Sequence, residues 1–349
     1  MTVPTMRAAV LHGREDVRIE TVPVPRPGPG EVLVRTRAAL TCGTDAKVFR
    51  RGYHARMIVP PAVFGHEMAG VVEEAGPGVE GFPAGTPVVT ANSAPCGACF
   101  YCAAGQQNLC DDLLFWNGAY AELSVIPARI VASNLLRLED GMTFRRAALV
   151  EPLACVVRGV DESGIAAGRS VAVIGTGAIA LLFVALSRLR GARVTVAGRR
   201  PERLDQARAL GAGQTVLAGE GDLAALLRER SDAQRGFDVV VEAVGLPETS
   251  EAALRAVRKG GTAQLFAGCP AGARLSVDAQ ALHYQELTVK STFHHTPASI
   301  RAAFRLIADG RVDADAFITG EAPLEALPEV LRAMGAGATG LKTAILPGD

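Results

Sequence analysis

Four cysteines, Cys96, Cys99, Cys102 and Cys110, stand in the spacing C-x2-C-x2-C-x7-C. Thiolates that close in sequence suit one tetrahedral Zn²⁺, whose Zn–S bonds are about 2.3 Å long. The stretch between Cys102 and Cys110 is polar and holds Gly105, Gln106, Gln107 and Asn108, so it is no core strand carrying buried thiols. A ferredoxin-type iron–sulfur run ends on a shorter spacing with proline after its last cysteine. Here Asp111 follows Cys110. The spacing predicts a structural zinc lobe over about residues 95–111. A closed set of four thiolates has no vacant position for a substrate, so the chemistry must lie elsewhere.

A second, scattered set of metal donors is present. Cys42 lies in Thr41-Cys42-Gly43-Thr44-Asp45, and His66 and Glu67 follow Phe64-Gly65. Glu151 lies in the apolar setting Leu149-Val150-Glu151-Pro152, where an unpaired ionised carboxylate would be costly. A lone buried cysteine or a satisfied histidine is ordinary core. Together the residues offer thiolate, imidazole and carboxylate, all ligand types that zinc accepts.

A third feature is Gly175-Thr176-Gly177-Ala178-Ile179-Ala180, which matches G-x-G-x-x-G/A between a strand-like and a helix-like segment. Gly175 allows a tight turn, Gly177 lets a pyrophosphate approach the backbone, and Ala180 lets helix and strand pack closely. The end of the next strand selects the dinucleotide. An NAD site places Asp or Glu there to accept from the ribose hydroxyls. This chain has Gly198-Arg199-Arg200, with no carboxylate until Glu202. Guanidinium groups bind phosphate through bidentate, charge-assisted hydrogen bonds, so NADP(H) is expected in preference to NAD(H). The competing reading of Arg199 and Arg200 is a solvated surface pair.

The elements that must position these residues change texture along the chain. From Met6 to about Ala91, short β-rich runs such as Val32–Val34 and Met68–Val72 alternate with turn clusters. That pattern reads as an antiparallel, barrel-like domain, resuming after the zinc lobe around Tyr120–Val131. After about Cys155, strands and helices alternate: strands at Ser170–Ile174, Arg193–Ala197, Phe237–Val241, Ala263–Ala267 and Leu287–Val289, and helices at Ala178–Arg190 and Pro201–Leu210. Such alternation means a doubly wound parallel sheet. Ile300–Asp309 and Glu325–Met334 read as surface helices.

The 349 residues leave room for about two domains. With 36 acidic and 36 basic side chains, nothing points to nucleic acid or an anionic membrane as partner. The apolar run Ala178–Leu186 is far shorter than the ~20 residues of a membrane span. The N-terminal residues lack the apolar core of a signal peptide. Seven cysteines, four of them assigned to the lobe, argue against a secreted disulfide framework, and a cytoplasmic location is expected.

The motifs together resemble the zinc-containing medium-chain dehydrogenase/reductase superfamily, nearest the polyol (sorbitol) and threonine dehydrogenase branch. The likeness rests on Cys42-Gly43-Thr44-Asp45, Gly65-His66-Glu67, the cysteine lobe, Glu151-Pro152-Leu153 and Gly175-x-Gly-x-x-Ala, in the expected order. It implies a GroES-like catalytic domain (residues 1–155, completed by 293–349) with an inserted Rossmann domain (156–292). It also implies one catalytic and one structural zinc per chain and a homodimer or homotetramer. The catalytic zinc would be held by Cys42, His66 and either Glu67 or Glu151; sequence does not say which carboxylate is the ligand. By the same resemblance Thr44 relays the alcohol proton, Asp45 orients the imidazole, and Lys342 meets the cofactor pyrophosphate. Lys47 departs from the histidine often found at the end of the relay, and Cys155 from a threonine beside the nicotinamide. His294 and His295 fall in a segment near the nicotinamide, where pocket and structural roles are both open. Trp116, just after the lobe, is read as a pocket wall, with plain core as the alternative.

The expected activity is hydride transfer between NADP(H) and a small secondary alcohol or ketone, a polyol, sugar alcohol or cyclitol. An amino-alcohol or 2-amino-3-hydroxy acid dehydrogenase is the alternative, and would need a cation for the carboxylate, with Lys47 and Arg51 the nearest candidates. A catalytically silent NADPH-binding or redox-sensing protein is the alternative of another class. It has no need of an open metal site.

Overall fold

A computed structural model describes residues 3–54, 57–219, 221–338 and 340–348. The chain divides into two compact units, residues 1–154 with 295–349, and residues 155–294. The divisions fall at 154/155 and 294/295, where the sequence pattern placed them at 155/156 and 292/293.

The first unit is built on strands that are antiparallel except for the parallel pair Ile318–Pro323 and Lys342–Leu346. The central strand Val32–Leu40 is flanked by Met68–Ala75 and by the C-terminal strand Lys342–Leu346. Pro87–Thr90 and Leu135–Arg137 extend the sheet on one side, and Ile318–Pro323 on the other. Leu123–Ile126 pairs with Val32–Leu40 as well, and a separate hairpin joins Thr5–Gly13 to Asp16–Pro23. The core between them holds Leu11, Val34, Phe64, Met68, Tyr120, Ile126, Leu331 and Ile345. The stretch expected to be strand through Val131 stops at Ile126, because Pro127 precedes the helix Ala128–Asn134 and has no N–H for a ladder. The helices expected in the closing segment are Pro297–Ala308 and Leu327–Gly335. The first opens on a capping box from Thr296 and Ser299 and buries Ile300, Ala303, Phe304 and Ile307.

The second unit is a six-stranded parallel sheet. Its strands are β1 (Ser170–Ile174), β2 (Arg193–Gly198), β3 (Gln214–Leu217), β4 (Phe237–Glu242), β5 (Val257–Leu265) and β6 (Thr288–Ser291). Their order is 3-2-1-4-5-6, the doubly wound arrangement that binds dinucleotides at the carboxyl ends of its strands. Strands β1 and β4 are buried almost throughout, as expected of strands covered on both faces. Strand β5 begins six residues earlier than its apolar run suggests, and a bulge between Phe237 and Val239 absorbs the register shift. Among the described residues no helix is long and apolar enough to cross a membrane.

Candidate active site and metal centres

The four lobe cysteines are free thiols, and their sulfurs all lie within 4.8 Å of one another. Cys96 Sγ is 4.0 Å from Cys102 Sγ, and Cys99 Sγ is 3.8 Å from Cys110 Sγ. A tetrahedron with Zn–S bonds of about 2.3 Å has edges of about 3.8 Å, whereas a disulfide needs about 2.05 Å. Backbone amides complete the fit: Cys96 N–H donates to Cys110 Sγ (3.2 Å), and Ala98 and Cys99 N–H donate to Cys96 Sγ (3.4 Å each). These amide donors bring the Cys96 thiol down to about 6, favouring the thiolate that a metal needs.

The second donor set is assembled within the first unit. Cys42 is the N-cap of the helix Gly43–Arg51, its Sγ accepting from Thr44 N–H, while Asp45 Oδ2 accepts from Cys42 N–H (2.9 Å). That reciprocal capping fixes both side chains at the end of the strand Val32–Leu40. His66 and Glu67 lie between Phe64 and the strand Met68–Ala75. The chain turns there at Gly65, whose φ is +90° and where a Cβ would sit 2.6 Å from the Tyr120 ring. Cys42, His66 and Glu67 then offer ligand atoms within 4.8 Å of one another. His66 is 6 % exposed and Glu67 fully buried.

Asp45 stands behind this set. Its Oδ1 is 3.2 Å from His66 Nδ1, and its Oδ2 accepts from the Tyr120 hydroxyl at 2.6 Å. Holding Nδ1 in this way leaves Nε2 as the ring nitrogen for a metal. No local pattern singles out Tyr120, which fills the Gly65 turn from 55 positions further along the chain.

The electrostatics describe a buried site made for a cation. Burial works to raise the Cys42 thiol, but the charge and hydrogen bond of His66 outweigh it and bring it down to about 7. Burial likewise opposes charge on His66, and Asp45 and Cys42 overcome it, holding the ring well above its usual range. A proton on Nε2 and a metal ion compete for the same lone pair, so the stabilisation given to that proton is available to a metal. Burial pushes Glu67 up to about 8, with the Lys342 ammonium opposing, and pushes Glu151 up to about 7. The donor types, their convergence and this charge pattern fit a zinc ion.

Lys342 stands beside Glu67 within the first unit. It is 3 % exposed, and its Nζ donates to Glu67 Oε1 (2.7 Å), Glu67 Oε2 (2.6 Å) and Thr41 O (3.0 Å). With all three ammonium protons engaged it is the charge partner of Glu67. Glu151 opens the helix Val150–Glu162 outside the Cys42 set, with Oε1 3.6 Å from His295 Nε2. His295 is 2 % exposed and also reaches Asn92 Oδ1 (2.9 Å). Thr44 is half-buried and Lys47 exposed. Of the two readings of Trp116, the core one describes its surroundings: it is 7 % exposed, and its indole N–H donates to Val125 O at 2.8 Å.

In the second unit the glycine motif has the local geometry its spacing implies. Gly175 follows β1 at φ +119°, where a Cβ would meet Val244 Cγ2 at 3.1 Å. Gly177 is the N-cap of the helix Ala178–Leu189, and a Cβ placed on it would meet nothing within 4 Å, so the space above the helix N-terminus is open. At the end of β2, a Cβ on Gly198 would lie 2.3 Å from Thr176 Cγ2. A side chain at the position where an NAD site carries its acid requires Thr176 to shift. Arg199 is exposed and Arg200 half-buried, 3.9 Å from Glu202. Arg203, one helical turn beyond Arg200, went unnoticed in the sequence. Burial lowers its pKa and the charge of Arg200 lowers it further.

The comparisons with known proteins agree with this geometry. Residues 28–135 match the family of alcohol dehydrogenase GroES-like domains, and residues 178–309 that of zinc-binding dehydrogenases. L-threonine 3-dehydrogenase of Pyrococcus furiosus is 33 % identical over 347 residues, covering 97 % of each chain. The chain belongs to the zinc-containing medium-chain dehydrogenases. Sorbitol dehydrogenase of Bacillus subtilis is 28 % identical, covering 93 % of this chain and 92 % of its own. A zinc-binding dehydrogenase of Sinorhizobium meliloti, solved bound to NADP, superposes with a TM-score of 0.90 at 31 % identity over 99 % of this chain and 100 % of its own. An alcohol dehydrogenase from Thermus sp. ATN1 gives 0.88 at 30 % identity, over 98 % and 99 %. This medium-chain dehydrogenase is accordingly an oxidoreductase of the polyol and threonine dehydrogenase branch, acting on small-molecule alcohols. Its GroES-like and Rossmann folds are those the motifs implied.

Proposed function

We propose that this medium-chain dehydrogenase transfers hydride between NADP(H) and a secondary alcohol or ketone of the polyol, sugar-alcohol or cyclitol class. The observation that carries the reading is the buried convergence of Cys42, His66 and Glu67, oriented from behind by Asp45 and Tyr120. Cys42, His66 and Glu67 would hold one zinc ion, with Glu151 the nearby second carboxylate, and the four lobe cysteines would hold another. When bound, the first ion supplies Lewis-acid polarisation that makes an alcohol hydroxyl more acidic.

The chain's own groups account for the rest. Thr44, two residues from Cys42, takes the alcohol proton and passes it towards solvent. Asp45 holds the His66 tautomer, and Lys342 balances the Glu67 charge. Gly175 and Gly177 admit the pyrophosphate at the helix N-terminus, and Arg199 and Arg200 receive the 2′-phosphate. In the oxidative direction the alcohol carbon loses a hydride to the nicotinamide and its oxygen loses a proton, giving ketone, NADPH and H⁺.

The NADP(H) assignment draws support from the crowded Gly198 position and from the NADP-bound relative. The decisive measurement is kcat/KM with NADP⁺ against NAD⁺ across polyols, cyclitols and amino alcohols. A clear NAD⁺ preference sinks the cofactor assignment. The threonine-type reading is favoured by the Pyrococcus relative, and turnover of 2-amino-3-hydroxy acids with none of polyols would establish it instead.

A further inference from the structure

Glu242, the last residue of β4, is fully buried in the second unit. Its Oε1 accepts three hydrogen bonds, from Val244 N–H (2.7 Å), Gly245 N–H (2.8 Å) and the Thr249 hydroxyl (2.8 Å). Its Oε2 is buried too and meets no donor among the described residues. A bare buried carboxylate oxygen is costly.

The turn that Glu242 holds is the neighbour of the glycine motif. Ala243 N–H donates to Ile174 O, the residue before Gly175. Val244 Cγ2 and Ala243 O lie 3.1 and 3.3 Å from where a Gly175 Cβ would be. Gly245 has φ +87° and no room for a side chain, since a Cβ would sit 2.7 Å from Gly268 O. The turn is wedged between the Gly175 loop and the segment after β5, at the carboxyl ends of the strands, where this fold takes its ligands.

We infer that Glu242 is a positioning residue for the dinucleotide: by gathering Val244, Gly245 and Thr249 on Oε1 it sets the wall against which the Gly175 turn is formed. The inference rests on the reading that residues 175–180 receive a dinucleotide. The pyrophosphate is common to both cofactors, so NADP⁺ and NAD⁺ are affected alike, unlike substitutions at Arg199 or Arg200.

The test is fluorescence titration of the full-length, zinc-replete protein with NADPH and NADH, beside steady-state kinetics. Glu242→Ala is expected to weaken both dinucleotides by about tenfold. It should raise the dinucleotide KM while leaving kcat at saturation within about twofold. Glu242→Gln, which keeps an acceptor oxygen, recovers most of that affinity. Leu227→Ala, a cavity in the same unit away from the turn, lowers Tm without moving either Kd. Glu242→Ala that folds and binds as tightly as the parent overturns the inference, as does Leu227→Ala weakening binding equally. Should Glu242→Ala fail to fold, Thr249→Val carries the test: weakened binding of both dinucleotides supports the inference, and parental affinity overturns it. A parent protein that binds neither dinucleotide overturns the cofactor reading and the inference together. Loss confined to the variants separates the two.

Discussion

Asp45 has both carboxylate oxygens engaged, one on His66 Nδ1 and the other on Cys42 N–H and the Tyr120 hydroxyl. Asp45→Asn and Tyr120→Phe touch no substrate, yet each disturbs the imidazole orientation. A loss of about 10- to 100-fold in zinc affinity or turnover is expected, checked by metal analysis together with kcat/KM. At the dinucleotide end, replacing Arg199 and Arg200 by alanine should lower kcat/KM with NADP⁺ by about tenfold or more and leave NAD⁺ nearly unchanged. The usual route to NAD⁺, an acid at the end of β2, is crowded by Thr176 here. Gly198→Asp drives its Cβ into Thr176, so it should impair both cofactors until Thr176 is also reduced to glycine. Kinetics of the single and double variants check this.

Strand pairing in the second unit also has a polar fastening. Asp238, near the start of β4, accepts from Ser170 N–H and Oγ (2.8 Å each) at the start of β1 and from Arg258 Nε (2.8 Å) on β5. Burial works to raise its pKa, but the Ser170 bonds and Arg258 outweigh it, so the folded value lies below the ordinary carboxylate range. A depressed folded pKa stabilises above the unfolded value of about 3.9 and is lost as pH falls through the folded value. Asp238→Asn should therefore cost about 1–2 kcal/mol at neutral pH. Urea unfolding at a series of pH values should show that gap closing below about pH 4. The cysteine lobe is an element of another kind, held by four sulfurs and short turns and contributing only Cys110 and Asn108 among its buried side chains. With its thiolates on a zinc ion, its stability would be that of the metal site. Mild chelation is expected to open residues 96–110 to proteolysis before the rest of the chain.

Both chain ends are needed for the first unit, whereas the second is one continuous segment. Lys342–Leu346 pairs with the central strand Val32–Leu40 and delivers the ammonium that pairs with buried Glu67. Removing one partner of a buried pair costs about 3–5 kcal/mol, a large share of the roughly 5–15 kcal/mol that keeps a domain folded. A chain ending at Gly340 should lose the first unit, and Lys342→Met alone should lower its unfolding midpoint strongly. Residues 155–294, with their own parallel sheet and core, should fold when expressed alone. Circular dichroism and amide spectra of the truncated chain and the fragment check both.

The sequence determined what short-range physics determines. Ligand spacing within 15 residues defines the cysteine lobe, the glycine motif carries its own strand–turn–helix geometry, and alternation of strand and helix patterns implies the parallel sheet. Cys42, His66 and Glu67 were recognisable as donor types, and Arg199 and Arg200 as the cations that follow the second strand of the sheet. The tertiary structure decided what depends on residues far apart in the chain. Lys342 meets Glu67 across 275 positions and Tyr120 meets Asp45 across 75. Thr176 fills the space beside Gly198, Trp116 turns into the core, and Glu242 holds a turn against Gly175. No local pattern announces such meetings, because the pleat and order of strands bring these groups together, and only there do burial and hydrogen bonding assign each its partner.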